Sequence, residues 1–234
     1  MRVIISPAKT MLEGSRAYAS LPSFLSYAEG ILEILRTLSE HDLQKMYKCS
    51  PAIAHMNHER IHSMDMQKGL MPAVMRYSGM QYKYLDVSSM DASDYEWLQE
   101  HVRIPDAFYG ILRAFDGIVP YRLDFHCKPG IDLYRYWQDM PAKKLQDDVV
   151  IDLAGKEHAS LVLPYIDPSM VYTCVFEKNG KTHSTLAKSA RGEMLRWMTK
   201  NRIERPEDIK QFHEMGLQYD PIRSDIHTFV FVAD

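Results

Sequence analysis

The sequence predicts an α+β fold: a single domain with a mixed β-sheet core surrounded by helices. Three observations lead there. Short apolar runs of strand character stand at both ends of the chain and past its middle (2–5, 149–153 and 226–232), so they can meet in one sheet. Between them, apolar residues recur at helical spacing. No linker, low-complexity tract or repeat divides the 234 residues, a length that one large core can hold.

The elements follow in order. Residues 2–5 read as a buried strand that Pro7 stops. Leu25, Ala28, Ile31, Leu32, Leu35 and Leu38 trace one face of a long helix over 21–38. Ser39 and Asp42 open a short helix, and Ser50 caps another with Pro51 at its first position. A strand is expected over 73–77, ended by Ser78-Gly79. Helices are expected over 91–102 and 111–115, joined by a tight connection between Pro105 and Gly110. Residues 149–153 form a second buried strand. Asn179-Gly180, between runs of alternating polarity at 170–176 and 182–186, signals a two-residue hairpin. A basic helix (189–201), a helix from Arg205-Pro206 to Gly216, and a closing strand complete the chain.

Composition narrows the function. The chain is 46% hydrophobic and 25% charged, ordinary for a globular protein. No run of about 18 apolar residues could span a bilayer, and the first apolar stretch is too short for a signal peptide. Cys49, Cys127 and Cys174 are odd in number and form no CxxC pair, which suits a reducing cytosol and buried structural thiols. The expectation is a soluble cytoplasmic protein, monomeric, with no membrane partner.

Net charge is −3, but the charge is unevenly spread. Lys178, Lys181, Lys188, Arg191, Arg196, Lys200, Arg202 and Arg205 face only Glu193 and Glu204 in one segment. Asp86, Asp91, Asp94, Glu96 and Glu100 dominate another. Since the Debye length is about 8 Å at physiological salt, a locally basic face can hold phosphate on a mildly acidic protein.

Two motifs invite chemistry. His58-Glu59-Arg60-Ile61-His62 matches the HExxH zinc pattern, yet no downstream third ligand accompanies it, and a polar helix face is the expected reading. No metal is assigned. Ser6-Pro7-Ala8-Lys9 matches SxxK, but it follows a strand directly, whereas that chemistry needs Ser at a helix N-terminus. A structural or anion-binding turn is expected there. There is no GxGxxG and no Walker loop, so no cofactor is assigned.

A chain-long set of motifs resembles the YaaA family of bacterial peroxide-stress proteins. It runs from Ile4-Ile5-Ser6-Pro7-Ala8-Lys9-Thr10 through Asn57, Arg60, Gly79 and Tyr82. It continues in Phe108-Tyr109-Gly110-Ile111-Leu112-Arg113, Pro120-Tyr121-Arg122-Leu123 and Leu133-Tyr134-Arg135-Tyr136-Trp137. It closes with Val149-Val150-Ile151-Asp152-Leu153-Ala154, Glu157 and Ala187-Lys188-Ser189-Ala190-Arg191-Gly192. The resemblance implies a peroxide-stress protein linked to limiting free intracellular iron. It also implies a basic cleft and a helix-hairpin-helix element, here over 94–115, that binds DNA. Asp106-Ala107 stands where a small Ser-Gly-like pair is expected, which shifts weight to the basic helix. The expected DNA contacts are Lys9, Arg60, Arg113, Arg122, Lys188 and Arg191, acting on phosphates without sequence preference. The alternative is an enzyme for a nucleic acid or nucleotide-like substrate, using a polar pocket of Ser6, Lys9, Tyr109, Tyr121, Arg122, Asp152 and Glu157.

Overall fold

The computed structural model describes residues 1–146 and 148–233. Its centre is a seven-stranded sheet: β1 (Arg2–Ile5), β2 (Val102–Asp106), β3 (Gly110–Arg113), β4 (Val150–Leu153), β5 (Val171–Lys178), β6 (Leu217–Tyr219) and β7 (Thr228–Ala233). The spatial order is β6-β7-β5-β4-β1-β2-β3. The five central strands are mutually parallel, and antiparallel β6 and β3 close the two edges. The α+β expectation of a mixed sheet among helices holds. The terminal strands share the sheet but do not pair, because β4 and β5 stand between them.

Parallel strands covered on both faces read as continuous apolar runs. Val3, Ile4 and Ile5 are fully buried, as are Val150, Ile151 and Leu153. Around the sheet lie α1 (Leu25–Arg36), α2 (Glu40–Tyr47), α3 (Pro51–Ser63), α4 (Met80–Leu85), α5 (Ala92–His101), α6 (Leu133–Trp137), α7 (Lys156–Ala159) and α8 (Ser184–Lys200). Ser39 and Ser50 cap α2 and α3 as the sequence suggests. Among the described residues, no helix is long and apolar enough to cross a membrane.

The helix-hairpin-helix expected over 94–115 does not form. α5 ends at His101, and the chain turns at once into β2, whose five residues are all buried, then into β3. Val102 and Ile104 are β-branched and gain a place beside β1, so sheet pairing overrides the helical spacing of 111–115. Asp106 makes the reversal: its Oδ1 accepts from the backbone N–H of Phe108 and Tyr109, each at 2.8 Å.

Three smaller expectations also change. Residues 73–77 form one helical turn (Ala73–Arg76), since the backbone N–H groups of Ala73 and Val74 bond to the carbonyls of Asp116 and Ala114 instead of to a neighbouring strand. Asn179 and Gly180 do turn with φ of 51° and 71°, but after one bridge between Lys178 and Lys181 the chain enters α8 rather than a second strand. Residues 206–216 form two short 3-10 turns, and the unforeseen β6 follows them.

Candidate functional site

Sites in sheets of parallel strands gather beyond the carboxyl ends of the strands. Here that edge carries Ser6 after β1, Asp106 at the end of β2, and Ala154, Gly155 and Lys156 after β4. Ser6 Oγ accepts from the Gly155 N–H at 2.7 Å, joining two adjacent strand ends. Tyr82 on α4 donates to the Ser6 carbonyl at 2.8 Å.

Next to this junction a cleft of about 590 Å³ opens over β4 and β5, lined by Asp152, Lys156, Cys174, Thr182 and Arg191 among others. α8 forms its far wall. That helix is held close by Gly192: a Cβ there would come within 2.1 Å of the Gln81 carbonyl oxygen on α4. No side chain caps the first turn of α8, so its free N–H groups and positive dipole end remain open to an anion.

Asp152 and Arg191 face one another across the cleft floor without an ion pair among the described residues. Asp152 is buried and accepts from the Ala154 N–H at 2.8 Å. Burial pushes its carboxyl up to about 6, only partly offset by that hydrogen bond and by Arg191. Burial also lowers the Arg191 guanidinium, whose buried Nε has no partner among the described residues. A Cβ on Gly155 would stand 3.4 Å from Ser6 Oγ and 3.9 Å from Arg191 Nη1, so both groups close round the same glycine. Burial raises the Cys174 thiol, keeping it unreactive.

The structure thus brings Ser6, Asp152 and Arg191 together, with exposed Lys188 on the same helix one turn back. It places Lys9, Tyr121 and Arg122 in a second group. They line a cavity of only about 30 Å³ with His158, room for about one water. Lys9 is engaged by Asp124 at 2.8 Å, which raises its ammonium, and Arg122 lies over the Tyr47 ring at 5.3 Å. His158 is driven down to about 4 by burial. Glu157 accepts from the Phe125 N–H at 3.0 Å and meets His126 at 3.3 Å. Lys9, Tyr121 and Arg122 thus share this small cavity, with Lys9 and Tyr121 held by Asp124 and Asp106, while Ser6 lies outside its lining and is bonded to Gly155.

Tyr121 belongs to a buried cluster. Its hydroxyl donates to Asp106 Oδ2, as does that of Tyr77 at 2.9 Å. Asp106 takes four hydrogen bonds while burial raises its pKa. Tyr109 is buried, its hydroxyl accepting from the Val119 N–H. Two expected DNA contacts lie elsewhere. Arg60 pairs with Glu13 at 2.9 Å on α3, and Arg113 sits opposite Arg103, at the other end of its strand from Asp106. On α3 the His58 and His62 rings stack with centroids 4.1 Å apart. Among the described residues no group of three or more His, Cys, Asp or Glu side chains is arranged to hold a metal ion.

Sequence reasoning missed Lys156, Cys174 and Thr182. The available signal was position: Lys156 is the third residue beyond a buried strand, and Thr182 stands just before a long helix.

Comparisons with known proteins cover nearly the whole chain. Residues 1–223 match the family model described as peroxide stress protein YaaA. A UPF0246 protein of Agathobacter rectalis is 36% identical over 99% of this chain and 98% of its own length. UPF0246 proteins of Pediococcus pentosaceus and Ligilactobacillus salivarius are 35% and 37% identical, each over 100% of this chain, and over 98% and 100% of their own lengths. With its sheet, its strand-end cleft and these full-length relatives, the chain belongs to the YaaA (UPF0246) family of peroxide stress proteins.

Proposed function

We propose that this peroxide-stress protein binds DNA through the basic rim of the cleft over β4 and β5, and that this binding is tied to limiting free intracellular iron. The observation that supports it is the rim itself. Exposed Lys156 lines the cleft with Arg191, exposed Lys188 lies one helical turn from Arg191, and the first turn of α8 is uncapped, a set of groups that suits phosphate. Binding is sequence-independent and salt-sensitive, since it rests on phosphate. The link to iron rests on the family resemblance.

The test is a titration of duplex and single-stranded DNA over a range of salt, with parent protein and Lys156→Glu/Lys188→Glu. Both lysines are exposed, so the fold tolerates reversal, whereas reversing Arg191 would set a carboxylate against Asp152. The double variant should bind all sequences less tightly and flatten the salt slope by about two. An unchanged slope, with an unchanged melt, would remove the rim from the reading.

One observation favours a second reading, an enzyme acting on a nucleotide-like substrate in the same cleft. A carboxyl at about 6 can both give and take a proton near neutral pH. Turnover of nucleotides with a pH optimum that vanishes in Asp152→Asn would move this reading to first place.

A further inference from the structure

The opposite end of the sheet holds a second cavity, of about 670 Å³, which the DNA reading does not use. Its lining includes Arg2, Arg103 and Arg113, from the starts of β1 and β2 and the end of β3. Register puts them on one face. Arg103 is directly opposite Arg113 across the antiparallel pair, and Ile4, two residues from Arg2, is opposite Arg103 across the parallel one. Like charges directly opposite on a sheet face destabilise it. Three adjoining strands nonetheless present guanidinium groups together.

The carboxylates at hand leave the trio under-neutralised. Arg2 pairs with Asp148 at 2.8 Å. Asp116 is buried and receives the Ser20 hydroxyl and the Arg113 backbone N–H rather than a guanidinium. Glu96 and Glu100 line the cavity but form no ion pair with any of the three among the described residues. Arg103 is buried, and only its Nη1 donates, to the carbonyls of Gln99 and Val102. Burial, and then repulsion from Arg2 and Arg113, lowers its pKa to about 10. Nε and Nη2 of Arg103 make no hydrogen bond among the described residues.

The walls are aromatic. Tyr18 lies against Gly117 so closely that a Cβ there would come within 2.7 Å of its ring. Tyr95 and Phe115 pack with ring centroids 4.9 Å apart. The volume falls in the range of small-molecule sites.

We propose that this cavity binds a nucleoside monophosphate, the phosphate taken by Arg103 and Arg113 and the base set against Tyr18, Tyr95 and Phe115. Guanidinium forks match the planar pairs of oxygens on a phosphate. Ring faces take a flat heterocycle, and the carboxylates of Glu96 and Glu100 suit an exocyclic amino group, which points to adenine, guanine or cytosine over uracil.

The experiment is calorimetric titration of the full chain with adenosine 5′-monophosphate, adenosine and inorganic phosphate. The nucleotide should bind one to one, at least tenfold more tightly than either half. Arg113→Gln and, separately, Tyr18→Ala should each weaken it about tenfold or more without lowering the melt of the Arg113→Gln protein. Lys156→Glu/Lys188→Glu, at the far end of the sheet, should leave it unchanged. No heat from the nucleotide at millimolar concentration would overturn the proposal. So would equal binding of phosphate alone, or binding lost in the lysine pair but kept in Arg113→Gln. None of these outcomes bears on DNA binding at the other end.

Discussion

The two ends of the central sheet handle charge in opposite ways. At the carboxyl end of the parallel strands, a charged group that the fold buries is surrounded by partners. Asp106 is fully buried and receives four donors, and even the exposed Lys9 is matched by Asp124. At the amino end, Arg103 and Arg113 stand opposite one another with a single ion-paired carboxylate in the trio. The first arrangement fixes a shape; the second leaves a field that, among the described residues, one ion pair only partly neutralises. The cleft over β4 lies between these extremes, because Asp152 and Arg191 are close enough to feel each other but do not pair. Unsatisfied charge that persists in a folded chain marks places where stability is given up for some other purpose.

Breaking the satisfied end should cost most. Asp106→Ala removes four hydrogen bonds from the core, stranding two backbone N–H groups and leaving the Tyr77 and Tyr121 hydroxyls only each other, at about 1–3 kcal/mol for each bond lost. A loss of about 4 kcal/mol or more in urea unfolding is expected, with a drop in Tm. A loss under about 1 kcal/mol would show that the cluster does not hold the β2–β3 turn.

The intermediate case is sharpened by pH. Asp152 has a folded value of about 6, above the roughly 3.8 of an unfolded aspartate. Between those values the folded state binds the extra proton, so this group's contribution to stability is retained at low pH and lost as pH rises from about 4 to about 6. The span corresponds to about 3 kcal/mol. Asp152→Asn should remove that slope and be the more stable protein at pH 7.5, measured by denaturant unfolding at four pH values. Parallel profiles for parent and variant would place the carboxyl in a solvated setting instead.

The smallest effect belongs to the unsatisfied end. Arg113→Gln should stabilise the chain by about 0.5 kcal/mol at low salt and by less at high salt, since it removes a like-charge cross-strand pair. A destabilisation at low salt would mean that Arg113 has a counter-charge in the free protein.

These contrasts also show how much could be read from the residues. β1 and β4 were legible because continuous apolar runs name buried strands. The Asn-Gly turn and the basic helix were legible because their signals are local. The β2–β3 hairpin was not: Ile111 to Phe115 is compatible with helical spacing, and only a neighbour a hundred residues away makes β2 a strand. Asp106 departs from the small pair expected of a phosphate-binding hairpin because its short side chain is what turns the chain. The site was partly legible. Ser6, Asp152 and Arg191 meet, but Arg60 and Arg113 do not join them, because residue type says nothing about which end of a sheet a side chain will occupy. That depends on register, which long-range pairing fixes.

The position of β1 has a further consequence for how the chain is made. Its neighbours β2 and β4 begin about a hundred and about a hundred and fifty residues later. On a ribosome adding roughly 5–20 residues each second, β1 waits on the order of ten seconds or more for its second partner. Through that interval Val3, Ile4 and Ile5 are an unpaired apolar edge on the nascent chain. β1 gains its second neighbour only after about two-thirds of these residues have been synthesised, and the sheet is complete only with β7 at residues 228–233, so its folding is late and dependent on non-local contacts. Three residues that are fully buried in the finished molecule thus stay exposed through much of its assembly.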